Sequence, residues 1–491
     1  MKKTKITKLY GITLAAAVAV CSLHAAQLAA TALVSVDVAK EIGPVKLMNA
    51  VNNGPVAARS DQSRGNFADF RALRVPYART HDSINQATSN GHTVDISAVF
   101  PDFSADENDP ANYDFVYTDA FLKTIVAAGT KPFFRLGQTI ENGIKKYHVF
   151  PPADFAKWAR ICEHVILHCN EGWGGGHRWG IEYWEIWNEP DAQPDERRAE
   201  SCQWQGTKAE FFAFYETVAK HLKGRFPKLK IGGPALGFRM DWAEEFVKWQ
   251  RERGTPIDFF SWHMYRGGVP RLESQSRDVR RILDENGYST AESILDEWNY
   301  IKNWTTDFPY SARAISTHEG GAFTAAFLCA AQNSPVDMLM YYDARPSTVF
   351  NGLFDFYTFA PRPAYYALFS WADLRELGMQ VEARVESAAS KGGSSVRAVA
   401  AKDAKGALGV MIVRYCDNRN VTASETVTLR LASGRFSGRV RGYVTDENHL
   451  HSPVHLFPSD DRTVTFTLAP NAFIYIETAV EGRQAMVDIK P

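Results

Sequence analysis

Across residues 47–342 the chain alternates short apolar runs with longer segments of helical periodicity, an alternation that few folds accommodate. The runs are 47–52, 75–81, 131–136, 183–188, 230–234, 259–263, 293–296 and 338–342. Each is short and nearly continuous in apolar character, as a strand buried on both faces requires. Between the third and fourth, Phe155, Trp158, Cys162, Val165 and Cys169 recur at helical spacing behind Pro151 and Pro152. Between the fourth and fifth, Thr207 and Glu210 read as a capping box ahead of Phe211, Tyr215, Val218 and Leu222, with Pro227 as the stop. Residues 323–331 supply a further helix before the eighth run. Eight such units predict an α/β fold of (β/α)8 barrel type over 47–377.

Beyond residue 377 the pattern changes. Short alternating runs at 395–401, 408–415, 426–431, 438–444, 463–467 and 473–478 are separated by turn residues, with little helical signal. They predict an accessory β-sandwich over 378–491. Val34, Val36 and Val38 alternate in the same way, so 33–46 reads as an N-terminal strand that joins that sandwich.

Residues 1–32 read as a signal peptide. Four lysines among the first eight residues precede an apolar stretch at 9–23 and an alanine-rich segment with cleavage sites after Ala25 or Ala32. The expected location is therefore the bacterial periplasm or the exterior. Cys21 invites a lipoprotein reading, but Val20 before it is larger than lipoprotein processing favours. No later run is long and apolar enough to predict a membrane span. The other five cysteines are irregularly spaced and suggest neither a disulfide framework nor a zinc site, so buried free thiols are expected. Lys and Arg total 55 against 56 for Asp and Glu, a balance that gives no attraction to a phosphate backbone and argues against nucleic-acid binding.

Two of the strand runs end in carboxyl groups. Glu189 follows Tyr-Trp-Glu-Ile-Trp-Asn and precedes Pro190 and Asp191 at the end of the fourth run, and Glu297 lies in Leu-Asp-Glu-Trp-Asn at the seventh. Strand ends are where a barrel of this type gathers its functional groups. Two convergent carboxyls are the apparatus for cleaving a glycosidic bond. Glu185, Asp191 and Asp296 compete for the same roles. Glu185 lies deeper in its strand, Asp191 lies beyond Pro190, and Asp296 is expected to face away from Glu297 while the strand alternates.

Together with Ser-Trp-His-Met-Tyr at 261–265, these motifs resemble the retaining glycoside hydrolases of clan A, most closely glycoside hydrolase family 39, which contains β-xylosidases and α-L-iduronidases. The resemblance covers the barrel and, more loosely, the β-rich tail. It implies that Glu189 is the general acid/base and Glu297 the nucleophile. The acid must keep its proton near neutral pH, which burial against aromatic walls such as Trp187 would favour. The nucleophile must stay ionised, and Arg79 is the candidate counter-charge. Retaining chemistry requires the carboxyls to be roughly 5–5.5 Å apart.

The remaining candidates for substrate binding are His81, Asp82, Asn188, His263, Tyr265, Trp298, Tyr342 and Trp173. Asn188 suits the sugar 2-hydroxyl, and Tyr265 suits orientation of the nucleophile. Trp173 lies in the glycine-rich run Glu-Gly-Trp-Gly-Gly-Gly-His, which lacks the lysine and strand-to-helix context of a phosphate loop. The expected function is an exo-acting glycosidase of β-D-xylosidase type, acting on an oligosaccharide or glycoside, with no cofactor and no metal. Arabinofuranoside, galactoside or uronide cleavage is the neighbouring alternative, with Arg135, Arg239, Arg266 and Arg345 available for a substrate carboxylate. A noncatalytic glycan-binding protein is the alternative of another class. Nothing in the pattern selects an oligomeric state.

Overall fold

The computed structural model describes residues 31–58, 64–81, 94–192, 200–237, 239–346, 348–387 and 394–480. The expected signal segment, Cys21 and Asp82 lie outside the described residues. Eight parallel strands close into a barrel: β2 (Leu47–Asn52), β3 (Tyr77–Arg79), β4 (Lys131–Leu136), β5 (Tyr183–Ile186), β6 (Lys230–Leu236), β7 (Phe259–Met264), β8 (Glu292–Trp298) and β9 (Met338–Tyr341). Closure comes from the pairing of β2 with β9.

Side-chain alternation explains both surfaces of the barrel. Tyr77, Phe133, Tyr183, Phe259, Ile294 and Met338 point inward and fill the base, where Tyr77, Phe133 and Phe259 all pack on Tyr183. Their neighbours Phe134, Trp184, Phe260 and Leu295 point outward into the core beneath the helices. The interior is thus a packed plug, and the open end lies at the strands' C-termini.

The helix Lys208–Arg225 starts at the expected capping box, with Glu210 N donating to Thr207 Oγ1 at 3.1 Å and Thr207 N donating to Glu210 Oε2 at 2.6 Å. The helix Phe155–Asn170 is capped by the Asp154 side chain rather than by the preceding prolines. Among the described residues no helix is long and apolar enough to cross a membrane.

The β-rich part is one continuous sheet rather than two facing sheets. Its nine strands are β1 (Thr31–Pro44), β10 (Met379–Ser387), β11 (Ser394–Lys402), β12 (Ala407–Cys416), β13 (Glu425–Ser433), β14 (Phe436–Thr445), β15 (Ser452–Leu456), β16 (Thr463–Leu468) and β17 (Ala472–Val480). The order is β15-β14-β17-β12-β11-β10-β1-β13-β16, and the two edge strands approach each other, so the sheet curls around its own core. β1 lies between β10, antiparallel, and β13, parallel. Val34 and Val36 face the curled core. The other face of β11, β12 and β17 presents Val399, Ala401, Met411, Val413, Phe473 and Tyr475 to the barrel's helical layer. Helices His318–Gln332 and Pro363–Leu377 provide that contact, so the sheet buttresses the barrel beside β9.

Candidate active site

The open end holds a pocket of about 440 Å³ whose lining includes Glu189, Glu297, His81, Tyr265, Tyr342 and Trp304. Its size lies in the range of small-molecule sites. Glu189 reaches it because the backbone abandons strand geometry after Ile186. Trp187 and Glu189 adopt left-handed φ values of 74° and 44°, a strain that L-residues carry only where surrounding contacts enforce it. Those contacts include Trp187 N donating to Leu136 O and Glu189 N donating to Ala235 O, each at 2.8 Å.

Glu297 arrives differently. The pairing of β8 shifts register against β7 between Trp262 and His263, and against β9 between Leu295 and Trp298. Asp296 and Glu297 therefore both face the barrel interior: Asp296 Oδ2 lies 3.0 Å from Arg79 Nε, and Arg79 Nη1 donates to Glu297 Oε1 at 2.8 Å. The expectation that they face opposite sides fails at this irregularity, which carries two successive side chains to one face.

The same geometry displaces several predicted contacts. Trp298 points outward, fully buried, and stacks on Phe327 at 4.4 Å, so it cannot touch a ligand in the pocket. Trp187 forms no pocket wall, because its left-handed φ turns the ring outward against Trp158, Trp204 and Phe214. Trp173 lies at the far end of the helix Phe155–Asn170, packed on Tyr113 and His164, and does not line the pocket. Arg79 is completely buried and acts on the carboxyls of Glu185, Asp296 and Glu297 rather than on a ligand. Among the rival acids, Asp191 accepts from Gly237 N and Arg239 N and so secures the loop after β6.

A buried charge cluster lies beneath the pocket. Arg79 Nε donates to Glu185 Oε2 at 2.6 Å and Nη2 donates to Asn188 Oδ1 at 2.7 Å, while Asn52 Oδ1 accepts from Nη1 at 3.1 Å. His81 Nε2 lies 2.7 Å from Glu297 Oε1, and Tyr265 donates its hydroxyl to Glu297 Oε2 at 2.6 Å. His263 Nδ1 contacts Glu189 Oε1 at 2.8 Å, and its Nε2 lies 3.5 Å from both Asp296 and Glu297. Gln203 Nε2 donates to Glu189 Oε2 at 2.6 Å.

The two pocket carboxyls are pushed in opposite directions. Burial, reinforced by the negative charge of Glu297, raises Glu189 above the ordinary glutamate value despite the hydrogen bond and charge of His263. Burial also acts on Glu297, but His263, His81 and Arg79 outweigh it and hold that carboxyl well below its ordinary value. His263, ringed by Glu297, Asp296 and Glu189, is held well above the usual imidazole value against the effect of burial. Deeper still, burial lifts Glu185 to about 8, so it is protonated at neutral pH and the cluster carries less negative charge than its residue types suggest.

One oxygen of Glu189, one of Glu297 and one ring nitrogen of His263 all lie within 4.8 Å of one another. The pocket thus brings together Glu189, Glu297, His81, Tyr265 and Tyr342, with Asn188, His263 and Arg79 directly behind them. Sequence reasoning missed Gln203, Asn52, Trp304, Phe350 and Arg271. Asn52 ends a strand and was discoverable by that rule. Gln203 sits in irregular chain with no periodic signal.

Residues 33–331 match the family model described as glycosyl hydrolases family 39. Two curated relatives are β-xylosidases. That of Geobacillus stearothermophilus is 25% identical over 290 residues, covering 51% of this chain and 53% of the relative. That of Caldicellulosiruptor saccharolyticus is 26% identical over 269 residues, covering 52% and 50%. The chain spans about half the length of these relatives. Among solved structures, a glucosidase from Croceicoccus marinus superposes with a TM-score of 0.71 at 22% identity, covering 91% of this chain and 99% of that one. A monomeric β-xylosidase from Caulobacter crescentus CB15 gives 0.63 at 16%, covering 92% and 100%. At such identities the structural likeness bears on the fold. The family match takes in β2 to β8 together with Glu189, Glu297 and the residues that set their charges, and covers more than half of the sequence. The chain belongs to glycosyl hydrolases family 39.

Proposed function

We propose that the protein is an exported, retaining exo-glycosidase of β-D-xylosidase type. The observation that carries this reading is the pair Glu189 and Glu297, facing one pocket with opposite protonation preferences. Glu297, ionised, attacks the anomeric carbon while Glu189 gives its proton to the departing oxygen. Glu189, now ionised, then takes a proton from water, which displaces Glu297 and restores the starting anomer. Carboxylate oxygens within 4.8 Å support direct attack, since inversion needs room for a water and a separation of roughly 6.5 Å or more. Tyr265 and Arg79 hold the nucleophile's two oxygens. Asn188, expected at the sugar 2-hydroxyl, lies behind the pocket lining, where its Oδ1 accepts from Arg79 Nη2.

The β-xylosidase relatives support xylose as the glycone. Export belongs to the same proposal. Cleavage after Ala25 leaves β1 whole, whereas cleavage after Ala32 removes two residues of β1, one of them buried and paired.

A second reading is favoured by Arg266 and Arg271, which line the pocket mouth with no carboxylate partner among the described residues. Arg135, Arg239 and Arg345, by contrast, are engaged by Asp95, Asp241 and Asp343. Two free cations at the mouth suit a sugar that carries a carboxylate.

Hydrolysis of a panel of nitrophenyl glycosides that includes xylosides, arabinofuranosides, glucosides and glucuronides, run beside Glu297→Ala, tests both readings. Turnover of the xyloside that the variant abolishes is the expected result. Turnover confined to glucuronides would replace the first reading with the second. Folded protein inert across the panel would overturn both.

A further inference from the structure

The glycine-rich run at 172–176 contributes nothing to the pocket, yet its geometry is unusual. Gly172, Gly174 and Gly175 take φ values of 83°, 60° and 79°, and a Cβ on Gly176 would collide with the carbonyl and ring of His168. The chain thereby doubles back on the end of the helix Phe155–Asn170, and His177 N donates to His168 O at 2.6 Å. The turn delivers His177 to a place where two other metal-ligating side chains already meet.

Asp119, from the helix Val116–Ala127, offers one oxygen to each imidazole: Oδ1 lies 3.0 Å from His168 Nε2 and Oδ2 lies 3.0 Å from His177 Nε2. The three donor atoms all fall within 4.8 Å of one another. Both rings are held flat against aromatic neighbours, His168 on Phe115 at 3.5 Å and His177 on Trp179 at 3.9 Å. His168 Nδ1 faces the Trp173 carbonyl at 3.0 Å, and a carbonyl only accepts, so Nδ1 carries the hydrogen. The ring's Nε2 is thereby turned toward Asp119 Oδ1. His177 Nε2 is buried and lies off the hydrogen-bond direction to Asp119 in spite of its 3.0 Å approach. A cation held among the three donor atoms would take all of them as ligands.

We infer that Asp119, His168 and His177 bind a divalent transition-metal ion of the zinc class. Two imidazoles and one carboxylate are the donor set such ions take, and bonds of about 2.0–2.2 Å would set tetrahedral ligands roughly 3.3–3.6 Å apart, so the donor atoms open by a few tenths of an ångström around the ion. The Trp173 carbonyl on Nδ1 is the outer contact that fixes a ligating histidine's tautomer. The side chains of Asp119 and His177 are 27% and 33% exposed, which leaves one side open for a water ligand. The ion would tie the helices that precede β4 and β5 to the loop leading into β5, the strand that delivers Glu189. Its role is structural, and none of its ligands touches the pocket.

The test uses the full chain stripped with EDTA and titrated with Co²⁺ and with Zn²⁺, following the visible d–d absorption of Co²⁺ and the thermal midpoint. The expected result is one equivalent bound, with the absorption of a low-coordinate Co²⁺ site and a midpoint raised by several degrees. Glu297→Gln keeps this response, whereas His177→Ala and Asp119→Asn weaken binding about tenfold or more. Asp119→Asn preserves side-chain shape, so its loss of binding separates ligation from misfolding. The inference is overturned by absence of the absorption in the parent chain, by equal affinity in His177→Ala, or by loss of binding in Glu297→Gln. The last result would place the ion on Glu189, His263 and Glu297 instead.

Discussion

Arg79→Met is the most informative single change, because Arg79 is the guanidinium shared by three buried carboxyls. Its Nε and Nη1 lie 2.6 Å from Glu185, 3.0 Å from Asp296 and 2.8 Å from Glu297, and the side chain has no exposure. Methionine fills much of the volume but leaves the carboxyls without that cation. Breaking a buried ion pair from one side costs about 3–5 kcal/mol. For a chain of 491 residues, unfolding entropy of about 2.1 cal/mol/K per residue sums to roughly 1 kcal/mol/K, so the thermal midpoint falls by about 3–5 °C near neutral pH. The pH dependence separates this cause from simple loss of packing. In the parent protein Asp296 and Glu297 are held below their ordinary values in spite of burial, Asp296 chiefly by Arg79 and His263. Their contribution is therefore present above the unfolded carboxylate values of about 4 and is lost as pH falls through the folded values. With Arg79 removed, burial is less opposed and these carboxyls rise, which shifts the balance toward loss of stability as pH rises. The gap between parent and variant thus narrows from pH 7 toward pH 4. Differential scanning calorimetry across that range checks it. A gap independent of pH, or a midpoint lowered by less than a degree at pH 7, would refute the electrostatic reasoning.

Gln203→Ala removes a donor that favours ionised Glu189, so the alkaline limb of kcat/KM against pH moves up by about one unit, the equivalent of one charge-assisted hydrogen bond, while the acid limb stays. Tyr265→Phe removes the 2.6 Å bond to Glu297; the acid limb moves upward and kcat/KM falls by about 10–100-fold, read from pH–rate profiles on the best nitrophenyl substrate. Trp298→Ala lowers stability by about 3–5 kcal/mol with KM unchanged, since the ring is entirely within the core against Phe327 and Tyr341. Denaturant midpoints and Michaelis constants separate that outcome from a ligand contact.

The barrel was legible because strands buried on both faces leave continuous apolar runs, and seven helical segments between them carry a different period. The curled sheet was legible as strands but not as a sheet order: β1 pairs with β10 and β13, nearly 350 to 400 residues away, and local alternation carries no information about such partners. Glu189 and Glu297 could be singled out because they close strand runs. Their supporting residues divide by the same criterion. Asn52, Arg79, His263 and Tyr265 lie at or near strand ends, whereas Gln203 comes from irregular chain and meets Glu189 only through tertiary folding.

The failures at Trp187 and Asp296 share one cause. Strand alternation assigns Trp187 inward and Asp296 and Glu297 to opposite faces. At Trp187 and Glu189 the backbone turns left-handed, and along β8 the register shifts twice. Both departures occur where the strands leave the packed plug and enter the pocket, and both change which side chains share a face. The effect on chemistry is direct. Regular alternation in β8 would send either Asp296 or Glu297 away from Arg79, and the lowered pKa of Glu297 depends in part on that guanidinium. Regular geometry after Ile186 would carry Trp187, not the core, into the pocket and move Glu189 away from His263 and Gln203. The opposed protonation preferences of the two glutamates therefore depend on these local violations of strand periodicity, which residue spacing does not register.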